Sequence, residues 1–297
     1  MRERLRELMK TEDLSQVAVA LSLGISTAVI SQYLAGVYKG DVAGIDRQVE
    51  GFLRLRQERR ETGRRAAVFA PTSVSAKIME TARFCHVEGE LGVCVGPSGL
   101  GKTTALKRYL VENSEAALIE ADLGFTSSDM LREILLAIGA PSDSYSLHAL
   151  MSEIQKRLAG SGRLIIIDEA EHLPWKALDL VRRINDKCDV GVLLCGLPRL
   201  VANLRNLNRD FEYIRNRIGI YAQIKPLLLK DTEAIAQAQG IANHESLGAL
   251  VHALHKHCGA NARVIVKVIN RARNLSKINK EPIVADMIQQ AAEGLRI

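Results

Sequence analysis

The chain has 297 residues, more than one small domain needs and enough for two or three. Hydrophobic residues make up 47% of it but aromatic residues only 4%, so its cores are built from Leu, Ile, Val and Ala, which excludes a disordered or low-complexity chain. The formal charge of +6 favours a polyanionic partner, and no apolar run approaches the ~20 residues of a membrane span. The opening MRERLRELMK is charged and lacks the apolar stretch of a signal peptide, so the expected location is the cytoplasm. Five cysteines (Cys85, Cys94, Cys188, Cys195, Cys258) are odd in number and show no C-x-x-C spacing, which points to reduced core residues.

In chain order, residues 1–57 are helical in pattern. Within them, residues 14–34 (LSQVAVALSLGISTAVISQYL) have the grammar of a helix-turn-helix. Gln16 opens the first helix, Ala20 is small where two helices touch, and Gly24 makes the turn. Ile30 is buried in the second helix and Tyr33 closes it. The second helix exposes Ser26, Thr27, Ser31 and Gln32, which suit phosphate and base-edge contacts. It carries no Arg or Lys, so the binding expected of it is sequence-tolerant. A three-helix bundle without a DNA role fits the same pattern. Next comes a charged connector, RQERRETGRR (Arg56–Arg65), read as a linker or a frayed helix end, and residues 58–68 are taken as the linker between domains.

Residues 69–224 alternate short apolar runs with helical patterns. The runs are LGVCVG (Leu91–Gly96), AALIEAD (Ala116–Asp122), RLIIIDE (Arg163–Glu169) and VGVLLCG (Val190–Gly196). Such runs are buried parallel strands, and the alternation predicts an α/β core with a mostly parallel sheet. Residues 225–297 show no strand pattern and read as a small all-helical domain broken near Gly259 and Pro282. Its helix carries Lys267 and Arg271, a second candidate DNA surface that reads equally well as a solvated face.

Two motifs carry the chemistry. Gly96-Pro97-Ser98-Gly99-Leu100-Gly101-Lys102-Thr103 matches G-x-x-x-x-G-K-[ST], follows an apolar strand and opens a helix that continues with Thr104. The glycines let the backbone turn its N–H groups inward, and the helix N-terminus adds donors for phosphate. Lys102 is expected to reach the β- and γ-phosphates and Thr103 to ligate Mg²⁺. The second motif is the strand that ends in Asp168 and Glu169, where open α/β sheets bind ligands. Asp168 is expected to hold Mg²⁺ and Glu169 to polarise the attacking water as general base. The nearby His172 reads as a structural ring. No guanine-reading N/T-K-x-D motif is present, so the expected nucleotide is ATP.

The DEAEH ending and the small helical domain resemble the AAA+ ATPases. That resemblance implies an arginine that reaches a neighbouring subunit's nucleotide. Arg217 is favoured, with Arg215, Arg205 and Arg209 as other candidates in LRNLNRDFEYIRNRI. It further implies that Arg263 in GANAR acts from a lid domain on the γ-phosphate. The strand ending Leu194-Cys195-Gly196 lacks the polar residue that the class uses to sense hydrolysis. The order of domains, together with QYLAGVYKGD, FAPTS, GPSGLGKTTAL, IIIDEAEHL and CGLPRL, is similar to the B transposition proteins of phage Mu and its prophage relatives. The core resembles, more remotely, the TniB/TnsC transposition ATPases and ExeA-like ATPases. The resemblance implies a target-DNA activator: an ATP-dependent, largely non-specific binder of double-stranded DNA. Such a protein forms a homo-oligomeric filament and stimulates a transposase. A helicase loader, an ATP-switched transcriptional regulator and an ATPase without a nucleic-acid role are the alternatives.

Overall fold

The computed structural model describes residues 1–12, 14–61, 68–206, 216–241 and 247–295. They divide into two compact units, Met1–Ala66 and Ala67–Ile297, described in turn.

The first unit is helical: α1 Arg2–Thr11, α2 Gln16–Leu23, α3 Thr27–Ala35 and α4 Val42–Glu61. Ser15 and Ser26 cap α2 and α3 with their hydroxyls, which accept from the N–H groups of Ala18 and Val29. Between the two helices Gly24 adopts φ +67, a left-handed conformation that costs a glycine nothing, and the helices meet at 110°. Leu5, Val19, Ala20, Ile30, Tyr33, Leu34, Ile45, Val49 and Leu53 form the core. The Tyr33 hydroxyl donates to Asp46, and burial together with that carboxylate pushes the phenol pKa up. The charged stretch read as a linker or frayed end begins as ordered helix, because α4 runs on to Glu61. Its Arg56 pairs with Glu12 and lies over the Phe52 ring, 4.7 Å from the centroid.

The second unit is built on a five-stranded parallel sheet in the order β2-β3-β4-β1-β5. The strands are β1 Leu91–Val95, β2 Ala116–Glu120, β3 Leu164–Asp168, β4 Gly191–Gly196 and β5 Ile218–Gln223. The four apolar runs are β1 to β4. β5 has no counterpart among those runs: it is an edge strand with a half-exposed pattern, Tyr221 being 52% exposed. Alternate strand residues serve opposite faces. Leu91, Val93, Val95, Ile165, Ile167, Val192 and Leu194 pack against α7 Ser127–Ala137, α8 Leu147–Leu158 and α9 Trp175–Cys188. Cys94, Leu164, Ile166, Leu193 and Cys195 pack on the other side, with α5 Ser73–Glu88 and α6 Lys102–Glu112. That second cluster continues into four C-terminal helices: α11 Leu229–Ala238, α12 Leu247–Cys258, α13 Ala262–Asn279 and α14 Ala285–Glu293. A remaining helix, α10 Arg199–Asn206, follows β4. The boundary expected at residues 224/225 therefore lies inside one compact unit with a shared core. All five cysteines are buried and unbridged. Among the described residues, no single helix is long and apolar enough to cross a membrane.

Candidate nucleotide-binding and catalytic site

The loop from Gly96 to Gly101 joins β1 to α6 at the C-terminal edge of the sheet. Lys102 is the first residue of α6, Gly101 stands at its N-cap, and no side chain caps that end. The first-turn N–H groups of Lys102, Thr103 and Thr104 are thus left to an external acceptor, and the helix dipole favours an anionic one. Lys102 Nζ donates to Gly96 O at 2.8 Å and to Pro97 O at 3.0 Å. An ammonium has three protons, so the lysine is anchored on the loop with one left for a phosphate oxygen.

Asp168 ends β3 and is buried (2% exposed). Its Oδ2 accepts from Thr103 Oγ1 at 2.6 Å and its Oδ1 from the Glu169 N–H at 3.0 Å. The hydroxyl and carboxylate of two distant motifs are therefore in contact. Hard oxygen donors of this kind fit Mg²⁺, which keeps several waters and takes one or two protein ligands. Glu169 has φ +54, a left-handed backbone uncommon for a non-glycine residue, and its half-exposed side chain is open to solvent or substrate.

The N-terminus of α13 meets the same loop. Asn261 caps α13 through Oδ1, which accepts from Val264 N at 3.2 Å, and its Nδ2 donates to Ser98 O at 3.0 Å. The Arg263 N–H donates to Gly99 O at 3.1 Å, and its side chain is exposed. Gly99 has φ +80, and a methyl group there would fall 2.3 Å from Asn261 Oδ1. Asn261 gives no sign of this contact in the sequence, even within GANAR, because an asparagine before a helix reads as an ordinary cap. Glu171, His172 and Arg199 also gather near Glu169. The structural reading of His172 does not convey this company, and no sequence signal marks Glu171 or Arg199.

The remaining candidates lie elsewhere. Arg217 immediately precedes β5, whose Ile218 pairs with Leu91 at the start of β1, so it stands at the sheet's opposite edge from its own loop. It is 60% exposed and its Nε lies 3.5 Å from Asp186 Oδ1. Arg209 and Arg215 fall outside the described residues, as does the side chain of Arg205. Lys267 and Arg271 are exposed on α13, one and two turns beyond Arg263, so the three share a face. Ser26, Thr27, Ser31 and Gln32 are exposed on the first unit.

This loop, aspartate and glutamate on a parallel sheet define a P-loop ATPase, and residues 86–204 match the family described as AAA domain. Over nearly its whole length the chain is similar to the phage Mu B transposition proteins, as its motifs implied. It is 26% identical over 278 residues to the Mu-like prophage FluMu DNA transposition protein B of Haemophilus influenzae, covering 92% of this chain and 96% of that one. It is 27% identical over 301 residues to the ATP-dependent target DNA activator B of Escherichia phage Mu, covering 99% and 94%. Among solved structures, the ORC2 protein of Aeropyrum pernix in ADPNP-ADP complexes shares the fold. The TM-score is 0.61 at 14% identity, over 77% of this chain and 70% of that one.

Proposed function

We propose that the protein is an ATP-dependent, largely sequence-non-specific DNA-binding ATPase that captures target DNA and activates a transposase. The observation that carries this is near-full-length similarity to proteins named ATP-dependent target DNA activator B and DNA transposition protein B, in a chain whose Lys102 lies on its phosphate loop and whose Thr103 meets Asp168. Residues 1–57 would serve as a helix-turn-helix DNA reader, 58–68 as a linker, 69–224 as the ATPase core and 225–297 as a lid, all acting in the host cytoplasm.

In this reading the Gly96–Gly101 backbone and the α6 N-terminus bind the ATP phosphates, and Lys102 bridges the β- and γ-phosphates. Thr103 and Asp168 hold Mg²⁺, which when bound neutralises the charge that develops on the phosphates. Glu169 accepts the proton of the attacking water. Arg263 senses the γ-phosphate from the lid, and Arg217, with Arg215, reaches the nucleotide of a neighbouring copy. ATP thereby becomes part of the subunit interface, so filament assembly on duplex DNA depends on ATP, and turnover is slow until DNA and transposase stimulate it. Ser26, Thr27, Ser31 and Gln32 with Lys267 and Arg271 form the DNA contacts.

The test is duplex binding with ATP, with ADP and without nucleotide, on random and AT-rich fragments viewed by electron microscopy, followed by a strand-transfer assay. Continuous ATP-dependent filaments and stimulated strand transfer are expected. Binding at one discrete site would favour a regulator, and preference for single strands a helicase loader.

A further inference from the structure

The turn after Glu169 holds a buried acid that the nucleotide site does not use. The Glu171 side chain is 0% exposed. Its Oε2 accepts from the Leu197 N–H at 3.0 Å, tying the 3₁₀ turn Ala170–His172 to the chain just beyond β4. Its Oε1 has no hydrogen-bond partner among the described residues, and Arg199 Nη2 lies 3.6 Å away. A carboxylate taken out of water requires such a countercharge. The same Nη2 lies 3.0 Å from His172 Nε2 and 3.4 Å from Nδ1, and His172 Nε2 lies 3.7 Å from Glu169 Oε2. Arg199 is the first residue of α10, the end of a helix that disfavours a cation. Its guanidinium is held there by its partners against that preference.

Glu169, Glu171 and His172 converge closely enough to suggest a metal site. The guanidinium argues against one, because it puts a fixed positive charge beside two of the three groups that would hold the ion. The end of β4 offers no polar side chain of its own, since Leu194, Cys195 and Gly196 are followed by Leu197. Arg199 reaches toward Glu169 from this strand end through His172, and Asn203 Nδ2 donates to Glu171 O at 3.1 Å beside it.

We propose that Arg199 and His172 are positioning residues that orient Glu169 for hydrolysis, with Glu171 as their buried anchor. This rests on the ATPase reading above. Arg199 Nη2 holds the His172 ring from one side, and the ring limits the swing of the Glu169 carboxylate on the other. Glu169 needs that side support because its left-handed backbone alone does not hold its side chain.

The experiment measures kcat, KM, ATP dissociation constant and melting temperature of the full chain with duplex DNA. The variants are Glu169→Gln, His172→Ala, Arg199→Ala, Arg199→Lys and the double variant Arg199→Ala/Glu171→Gln. His172→Ala and Arg199→Ala are expected to lower kcat about tenfold or more, as loss of a group supporting a catalytic residue does, and ATP affinity is expected to hold within about twofold. Arg199→Lys restores part of kcat. The double variant removes the buried charge, so it regains melting temperature and stays slow. If the double variant recovers kcat, Arg199 merely neutralises Glu171 and the proposal is overturned. Wild-type activity in both single alanine variants overturns it as well. Wild-type hydrolysis no faster than that of Glu169→Gln overturns the ATPase reading and the positioning role with it.

Discussion

Asn261 ties the C-terminal helices to the phosphate loop through two separable bonds, and two substitutions separate them. Asn261→Ala removes both the cap on Val264 N and the bond to Ser98 O. A lost N-cap costs about 1 kcal/mol and a lost hydrogen bond about 1 kcal/mol more. For a unit the size of Ala67–Ile297, about 2 kcal/mol lowers the melting temperature by about 4–8 °C. Asn261→Asp keeps the cap, because a carboxylate accepts from Val264 N, but it cannot donate to Ser98 O. Its melting temperature should fall by half as much, about 2–4 °C. Its charge stands beside the phosphates, so ATP affinity should fall about tenfold, equivalent to roughly 1.4 kcal/mol. Thermal melts with and without ATP, paired with an ATP titration, read both effects. Gly99→Ala attacks the same contact from the loop, so combined with Asn261→Ala it should cost less than the two separately. Asn261→Ala that melts and binds ATP as the wild type does would refute the role of Asn261 in tying α13 to the loop and leave that tie to the Arg263 N–H bond to Gly99 O.

Three further outcomes are expected. Arg217→Ala and Lys102→Ala should each abolish ATP hydrolysis, yet an equal mixture should recover about a quarter of it, since head-to-tail pairing lets one copy's loop meet the other's arginine; no recovery on mixing would remove the trans role. Lys267→Ala and Arg271→Ala should each weaken duplex binding alike on all sequences and flatten its salt slope by about 1, and an unchanged slope would leave α13 as a solvated face. Burial pushes the Asp231 carboxyl up, but the hydrogen bonds from Ser73 N (2.6 Å), Ser73 Oγ (2.7 Å) and Leu228 N (2.8 Å) outweigh it, so its pKa lies below the ordinary 3.8. A depressed carboxyl contributes stability that is complete above the unfolded value and lost as pH falls through the folded one. Asp231→Asn should therefore lower stability at neutral pH and reduce the acid-induced loss below about pH 4, read from urea melts across pH.

The sequence is most legible where one residue type serves one physical task. A loop that must aim backbone donors at phosphate needs glycines at fixed places, so Gly96–Thr103 is readable from its residues alone. Strands buried on both faces must be apolar throughout, so β1, β3 and β4 announce themselves, and β2, though an edge strand ending in an exposed Glu120, still shows the apolar run AALI. β5 does not, because IGIYAQ alternates half-buried with exposed positions and is interrupted by Gly219, so it offers no continuous apolar run. The Thr103–Asp168 contact follows from the two motifs, although they stand 65 residues apart. Contacts made by common residues in ordinary places are illegible. Asn261 looks like a cap, Arg199 like a surface charge and Glu171 like part of a polar turn. Their roles come from the sheet order, which brings the ends of β3 and β4 side by side.

The polarity of the sheet bears directly on assembly. Lys102 follows the C-terminal end of β1 and Arg217 precedes β5, and the two strands run parallel, Leu91 pairing with Ile218 before a one-residue bulge in β5. Strands of this length span about 17 Å at roughly 3.3 Å per residue, so no rotamer of Arg217 brings it to a phosphate on its own loop. If Arg217 acts on nucleotide, it acts on that of another copy, and the two halves of each site occupy opposite edges of one subunit. Such an interface is head-to-tail and leaves both edges open for the next copy. The same contacts yield a ring when the rotation between neighbours closes and a helical filament when it does not. Duplex length therefore separates the two: for a filament, bound protein and ATP turnover should rise in proportion to duplex length, whereas a ring should saturate at one footprint.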